Sequence, residues 1–314
     1  MGSPDVVDDG GPRVVVALDG SPSSVQALRQ GARMAEALGL LLTMVTVWRR
    51  FDLYSGYLGG PLDPDAESTA RATQATAVAA VFGRTPPAGF EQQVLQGETI
   101  ATLLRASAEA EMLVLGSRGH GGVKGLLLGS VSAACAAHAT CPVLVCHQER
   151  GADRARDTRD ASEPAAGRSG RIDRGDASRR GEIVVGVDGT TASVGALRQG
   201  AQFAESMHLP LLAICATGGV IPSTSDATEV LTAASQQVFG STPPRWFRSS
   251  VRDGSPAVVL GRASEHARML VIGHSGPRAT SRESVGSAIA LEAVCPIVVF
   301  HATRLRDPES FDGG

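Results

Sequence analysis

The chain carries two copies of one sequence pattern. Residues 14–32 begin VVVALDG and end LRQGA, and residues 183–201 begin IVVGVDG and end LRQGA. Near the end of each copy, CPVLVCH at residues 141–147 returns as CPIVVFH at residues 295–301. Because each copy of such a repeat forms one structural unit, the chain is predicted to be a tandem of two similar domains.

The segment between the copies, residues 149–181, is rich in Arg, Asp, Gly, Ser and Ala and contains no aromatic residue. Such a composition offers little apolar surface to bury, so the segment is predicted to be a flexible linker. The first domain then covers residues 13–148 and the second covers residues 182–303. We expect a disordered tail at residues 1–12 and a further tail at residues 304–314.

Short apolar runs alternate with helical segments throughout each copy. A parallel sheet covered by helices on both faces follows, because every parallel connection needs a crossover. The predicted fold class is α/β, with two doubly wound parallel sheets of five strands each. Ligands bind such sheets beyond the carboxyl ends of the strands, which indicates the loops after Leu18, Val47 and Leu115.

The composition excludes several classes of partner. The formal net charge is only −3 over 314 residues, so no strong field favours nucleic acid or an anionic membrane.

The acidic N-terminus lacks the features of a signal peptide and the apolar runs are too short to span a bilayer, so we expect a cytoplasmic protein. The spacing of the five cysteines matches neither redox nor zinc motifs, which predicts buried, reduced thiols and no metal site.

A glycine-rich loop follows the fourth predicted strand. Gly116 and Gly119 come first, and Gly129 and Ser130 then open a helix. Glycines let backbone N–H groups approach a ligand closely, and the N-terminus of a helix favours an anion. The loop therefore predicts a phosphate-binding site.

The spacing Gly116-x2-Gly119-x9-Gly129-Ser130 resembles the signature G-x2-G-x9-G-[ST] of the ATP-binding branch of the universal stress protein family. VVVALDGS at the start and CPVLV at the end of the copy strengthen the resemblance, which covers both copies. The resemblance implies a Rossmann-like fold of the adenine nucleotide alpha hydrolase type, with ATP as the ligand. Whether a Mg²⁺ ion accompanies the ATP is left open. The residues that it places at the nucleotide are Ala17, Asp19, Val47, Gly116, Gly119, His120, Gly129, Ser130 and Val131.

Within that set, the resemblance places Asp19 at the ribose or the adenine edge and Val47 against the base. A carboxylate suits the nucleoside end, because it accepts hydroxyl donors and would repel phosphates. The alternative reading of Asp19 is a residue that only forms an Asp-Gly turn.

The second copy keeps the same spacing but not the interior of the loop. Its corresponding residues are Asp188, Gly273, Gly276, Gly286 and Ser287. Pro277 has no N–H to offer and Glu283 would repel phosphate, which favours a degenerate site. Arg278 and Arg282 leave the opposite interpretation open, because their charged groups could replace backbone donors.

Enzymatic interpretations find little support in the sequence. It lacks the nucleophile elbow G-x-S-x-G, the P-loop G-x4-G-K-[ST], and G-x-G-x-x-G after the first strand. We therefore expect a nucleotide-dependent regulator in the stress response without catalytic residues and with slow ATP hydrolysis at most. The rival hypotheses are a weak ATPase and an interaction scaffold whose nucleotide sites have both decayed.

The family resemblance also concerns assembly. Universal stress proteins typically dimerise through their last strands, which implies that residues 142–147 and residues 296–301 pair within this chain as an intramolecular pseudo-dimer. A homodimer and an unidentified regulatory protein partner stay open. In this hypothesis, bound ATP orders the glycine loop and shifts the conformations that a partner meets.

Overall fold

The structure is a computed structural model, and it describes residues 11–49, 65–119, 128–147, 181–218, 221–274 and 293–301. Most of the predicted tails and linker lie outside these residues. So do the middle of the first glycine loop, with His120, and most of the second loop, with Gly276, Gly286 and Ser287.

The first copy alternates strands and helices as its sequence predicts. Its strands are β1 (Arg13–Ala17), β2 (Leu41–Trp48), β3 (Phe90–Gln96), β4 (Met112–Gly116) and β5 (Val143–Cys146). Its helices are α1 (Pro22–Leu38), α2 (Ala66–Phe82), α3 (Thr99–Ala106) and α4 (Ser130–His138).

Local chemistry sets both ends of α1. The Ser24 N–H donates to the hydroxyl of Ser21, the N-cap, and Pro22 takes a first-turn position where no N–H is needed. Gly39 ends the helix in the left-handed conformation.

The second copy repeats this order in the residues that the structure describes. Its strands are β6 (Glu182–Gly186), β7 (Leu211–Ala216), β8 (Phe247–Arg252), β9 (Ala267–His274) and β10 (Ile297–His301). Its helices are α5 (Thr191–Met207), α6 (Thr224–Phe239) and α7 (Pro256–Ser264). A bilayer-spanning helix is not found among the described residues.

All ten strands belong to one sheet with the order β3-β2-β1-β4-β5-β10-β9-β6-β7-β8. The five strands of each copy are parallel to one another, which is the predicted doubly wound arrangement. The expected two sheets are, however, joined edge to edge, because β5 pairs antiparallel with β10 and Leu144 lies opposite Val298. This pairing satisfies backbone groups that a separate five-stranded sheet would expose at its edge.

Helices cover both faces of the sheet. On one face, a single hydrophobic cluster joins the two copies and includes Leu28 of α1, Ala77 of α2, Leu197 of α5 and Leu231 of α6. On the other face, α3 and α4 cover the first copy and α7 covers the second. The two copies therefore share a core on one face and keep separate cores on the other.

The five cysteines are free and buried, as the sequence predicts. Burial raises the pKa of the Cys146 thiol and of the Cys295 thiol to about 12. At neutral pH both thiols stay protonated and act as small apolar groups.

Two histidine rings contact each other where the two copies join, and a third histidine lies near enough to affect their pKa values. The ring centroids of His274 at the end of β9 and His301 at the end of β10 lie 5.4 Å apart. His301 is 6% exposed, and its Nε2 is buried without a hydrogen-bond partner among the described residues. Burial, followed by the nearby charges of His274 and then His138 of α4, lowers the pKa of His301 to about 4.

This cluster predicts a loss of stability in mild acid. The unfolded chain takes up a proton at His301 near pH 6.5, whereas the folded protein takes it up only near pH 4. The free energy of unfolding is therefore highest above pH 6.5 and falls by up to about 3 kcal/mol from this group as the pH drops to 4. Urea unfolding of the wild type and of His301→Leu between pH 4 and pH 7 measures the effect.

We expect the stability of His301→Leu to depend less on pH than that of the wild type, because leucine cannot be protonated. Carboxylates titrate equally in both proteins and cancel in the comparison. Identical pH profiles would contradict the role of the histidine.

Candidate functional site

A cavity of about 470 Å³ opens at the carboxyl ends of β1, β2 and β4 in the first copy. β1 and β4 are neighbours at its centre, and the strand order reverses between them. Doubly wound sheets bind ligands at this position, and the volume falls within the range of small-molecule sites.

The structure gathers the residues that the sequence singled out in the first copy. Every one of them that the structure describes lines the cavity, and His120 lies outside the described residues. The lining residues of this set are Ala17, Asp19, Val47, Gly116, Gly119, Gly129, Ser130 and Val131.

The Asp19 carboxylate stands in a defined orientation at the end of β1. Its Oδ1 accepts the N–H of Ser21 at 2.9 Å, which is an Asp turn of the kind that the sequence allowed. Its Oδ2 faces Gly119, where an added Cβ would lie 2.5 Å away. A side chain at position 119 would therefore force the carboxylate or the loop to move.

Gly116 brings the end of β4 against the first turn of α1. A Cβ at this position would lie 2.6 Å from the carbonyl carbon of Ser23 and 2.7 Å from the nitrogen of Ser24. The Gly116 carbonyl also accepts the hydroxyl of Ser132 at 2.6 Å, which fixes α4 to the same strand. Residue 116 thus contacts two of the helices that border the cavity, α1 and α4.

The N-terminus of α4 forms one end of the cavity. Gly129 is its N-cap, with φ −74° and ψ 159°, and no side chain caps the helix. The N–H of Gly129 is held by the carbonyl of Ser117 at 2.7 Å. The positive end of the helix dipole and the exposed Ser130 hydroxyl face this region, which favours an anion.

Apolar side chains form the opposite wall. Val47 was predicted from the sequence, whereas Val45, Leu103 and Leu115 were not. The period-two alternation of a strand could have indicated Val45, which points to the same side of β2 as Val47. Leu103 comes from α3, and nothing in the local sequence indicates that it reaches this cavity.

Two serines at the start of α1, a place where hydroxyls commonly cap a helix, also contact the glycine loop. In the structure, the hydroxyls of Ser21 and Ser23 both donate to the backbone carbonyl of Arg118 in the glycine loop. The Ser21 bond is 3.1 Å long. Both serines are buried, and Ser21 still caps the helix.

Leu128 connects the cavity to the second copy. It lines the cavity just before Gly129 and packs against the core that α3 and α4 cover. It also packs against the core that α7 covers, whose buried residues all belong to the second copy. The wall of the cavity is therefore completed at the junction of the two copies.

The second copy repeats part of this geometry. Gly273 approaches α5 as Gly116 approaches α1, since its Cβ would lie 2.4 Å from the carbonyl carbon of Ala192. Asp188 Oδ1 accepts the N–H of Thr190 at 3.0 Å and the Thr190 hydroxyl at 2.6 Å. The glycine-loop residues that would complete the comparison lie outside the described residues.

Within the described ranges, no group of three or more histidine, cysteine, aspartate or glutamate side chains is arranged to hold a metal ion. The ionisable residues among the described ones that line the first cavity are Asp19 and Arg118.

Comparison with known proteins identifies the family. The model of the universal stress protein family matches residues 12–147. The universal stress protein Rv2623 of Mycobacterium tuberculosis is 27% identical over 307 residues, which cover 91% of this chain and 95% of that protein. A universal stress protein of Mycolicibacterium smegmatis is 35% identical over 132 residues, which cover 42% of this chain and 44% of that protein.

The fold is also found in a solved structure of tandem length. The crystal structure of a universal stress protein from Archaeoglobus fulgidus DSM 4304 aligns with a TM-score of 0.63 at 16% identity. The alignment covers 92% of this chain and 98% of that chain, and so includes both copies. The family model and the full-length relative agree: residues 12–147 belong to the universal stress protein family, and the chain as a whole is similar to a full-length member of it.

Proposed function

We propose that the first copy binds an adenine nucleotide, with ATP as the favoured ligand. The observation that carries the proposal is the combination of groups that line one cavity. The cavity brings together a fixed carboxylate, Asp19, several apolar side chains and the N-terminus of α4. A nucleotide has the complementary set of groups: ribose hydroxyls, an apolar base and an anionic phosphate group.

The chemistry of the lining residues assigns an orientation to the ligand. Asp19 would accept hydroxyl donors of the ribose, and Val47 would pack against the base. The N–H groups of Gly119 and Ser130, the helix dipole at the N-cap Gly129 and the Ser130 hydroxyl would hold the phosphates. The reverse orientation would place phosphates beside the Asp19 carboxylate and would be repulsive.

A Mg²⁺ ion would be held chiefly by the nucleotide itself. Asp19 is the one carboxylate among the described lining residues, and it belongs to the ribose end in this proposal. Mg²⁺ commonly binds through substrate phosphates and water with few protein ligands.

The proposed role is regulatory binding in the cytoplasm. Asp19 has its place at the ribose, and the Arg118 guanidinium is a poor proton acceptor, so neither serves as a base for rapid hydrolysis. Bound nucleotide would order the glycine loop, and a protein partner would recognise the ordered form. We further propose that the β5–β10 pair is an intramolecular form of the dimer contact, with residues 13–148 and 182–303 as the paired domains.

An interaction scaffold without a nucleotide is the second candidate. The close passage of Gly119 over Asp19 and of Gly116 along α1 opposes it, because a scaffold has no need of a loop held this tightly around a cavity. Nucleotide titration separates the two candidates.

The first test places a negative charge at the proposed phosphate position. Gly129 has a backbone conformation that any residue can adopt, and a Cβ there would meet nothing closer than 3.4 Å. Gly129→Asp should weaken ATP binding at least about tenfold through charge repulsion. Isothermal titration calorimetry measures the affinity, and we expect about one equivalent of ATP bound by the wild type.

Gly129→Asn is the matched control, because asparagine has the same size and is an equally good N-cap. We expect it to bind ATP within about threefold of the wild type. Equal losses in both variants would point to steric exclusion instead of charge. A wild type that binds no adenine nucleotide would overturn the proposal and favour the scaffold.

The second test concerns the nucleoside end. Asp19→Asn keeps the Oδ1 that accepts the Ser21 N–H and replaces the charged Oδ2, so the turn is preserved. We expect the affinities for ATP and for adenosine to fall together by about tenfold or more, because a charged acceptor for the ribose is lost. An unchanged affinity for adenosine, measured by the same titration, would remove Asp19 from the site.

A further inference from the structure

The buried hydroxyls of Ser21 and Ser23 share one acceptor, the carbonyl of Arg118. The hydroxyl oxygen of Ser21 accepts the N–H of Ser24. The hydroxyl proton of Ser21 therefore remains available to donate to the Arg118 carbonyl. Ser23 lies 4% exposed beside it and donates to the same oxygen. The start of α1 and the glycine loop, which are far apart in the sequence, are thereby joined at the carbonyl of Arg118.

That peptide connects Arg118 to Gly119. In a trans peptide, the carbonyl and the following N–H point in opposite directions. Because the serines hold the Arg118 carbonyl toward α1, the Gly119 N–H points away from α1, and Gly119 lines the cavity. The same bonds keep a carbonyl oxygen, which would repel phosphate, turned away from the ligand.

The second copy lacks this arrangement on the corresponding helix. Ala192 stands where the first copy has Ser23, and it has no hydroxyl. Thr190 stands where the first copy has Ser21, but its hydroxyl donates to Asp188 Oδ1 at 2.6 Å. The second copy therefore folds with alanine at one of these positions and with a hydroxyl that is engaged by Asp188 at the other.

We propose that Ser23, together with Ser21, is a positioning residue for the phosphate end of the ligand. It fixes the peptide between Arg118 and Gly119, so that the Gly119 N–H is ready to donate to a phosphate oxygen. The inference rests on the proposed nucleotide site and extends it to the selection of nucleotides over nucleosides. It also predicts that the second copy, with alanine at this position, binds phosphate less well.

The test is Ser23→Ala, with ATP and adenosine titrated separately. Loss of one hydrogen bond to the loop should weaken ATP binding about three- to tenfold. Adenosine has no phosphate, so its affinity should change by less than about twofold. Ser23→Thr keeps a hydroxyl and should restore ATP binding to near the wild-type value.

Ser107→Ala is the matched control. Ser107 is also buried, and its hydroxyl also donates to a backbone carbonyl, that of Leu104, outside the cavity lining. We expect it to leave both affinities unchanged. Equal weakening of ATP and adenosine by Ser23→Ala, or no weakening of either, would overturn the positioning role.

Hydrogen exchange on the ligand-free protein separates this inference from the proposed function. Ser23→Ala should speed the exchange of amides at residues 117–119, whereas Ser107→Ala should not. If the wild type binds neither ATP nor adenosine, the proposed function fails and the phosphate role fails with it. Unchanged exchange in Ser23→Ala would show instead that the serine does not hold the loop, whatever the ligand.

Discussion

The close approach of β4 to the first turn of α1 is the constraint on which the site depends. Gly116 permits it, because any side chain there would collide with the backbone of Ser23 and Ser24. The approach brings the serine hydroxyls within reach of the Arg118 carbonyl and leads the loop over Asp19. Gly273 makes the same approach in the second copy, so both copies share this constraint. The serine contacts to the loop are described only for the first copy.

The junction of the two copies is the second organising feature. The β5–β10 pair leaves β3 and β8 as the outer strands of one sheet. One face of that sheet carries a core common to both copies, and on the other face Leu128 reaches from the cavity wall into the core of the second copy. The cavity is therefore built partly by the way in which the copies meet, and the buried His301 lies at the same junction.

The copies have diverged in their cores as well as at their sites. Gln26 and Cys146 of the first copy correspond to Gly195 and Phe300 of the second. The Phe300 ring occupies the space beside Gly195, where a Cβ would lie only 2.3 Å from a ring carbon. A larger residue at one position is thus matched by a smaller one at the other, which preserves close packing. At the loop, by contrast, replacing Ser23 with Ala192 has no such compensation in the described residues.

The sequence by itself determined the duplication, the alternation of strands and helices and the glycine positions, because these follow from local periodicity and backbone preference. The family resemblance that its glycine spacing carries also indicated eight of the residues that line the cavity. Only the tertiary structure decided that the two half-sheets join, that Leu103 and Leu128 complete the cavity wall, and that Ser21 and Ser23 bind a carbonyl in a distant loop. Those contacts depend on which surfaces meet after folding, and the sequence around each residue carries no information about a partner so far away along the chain.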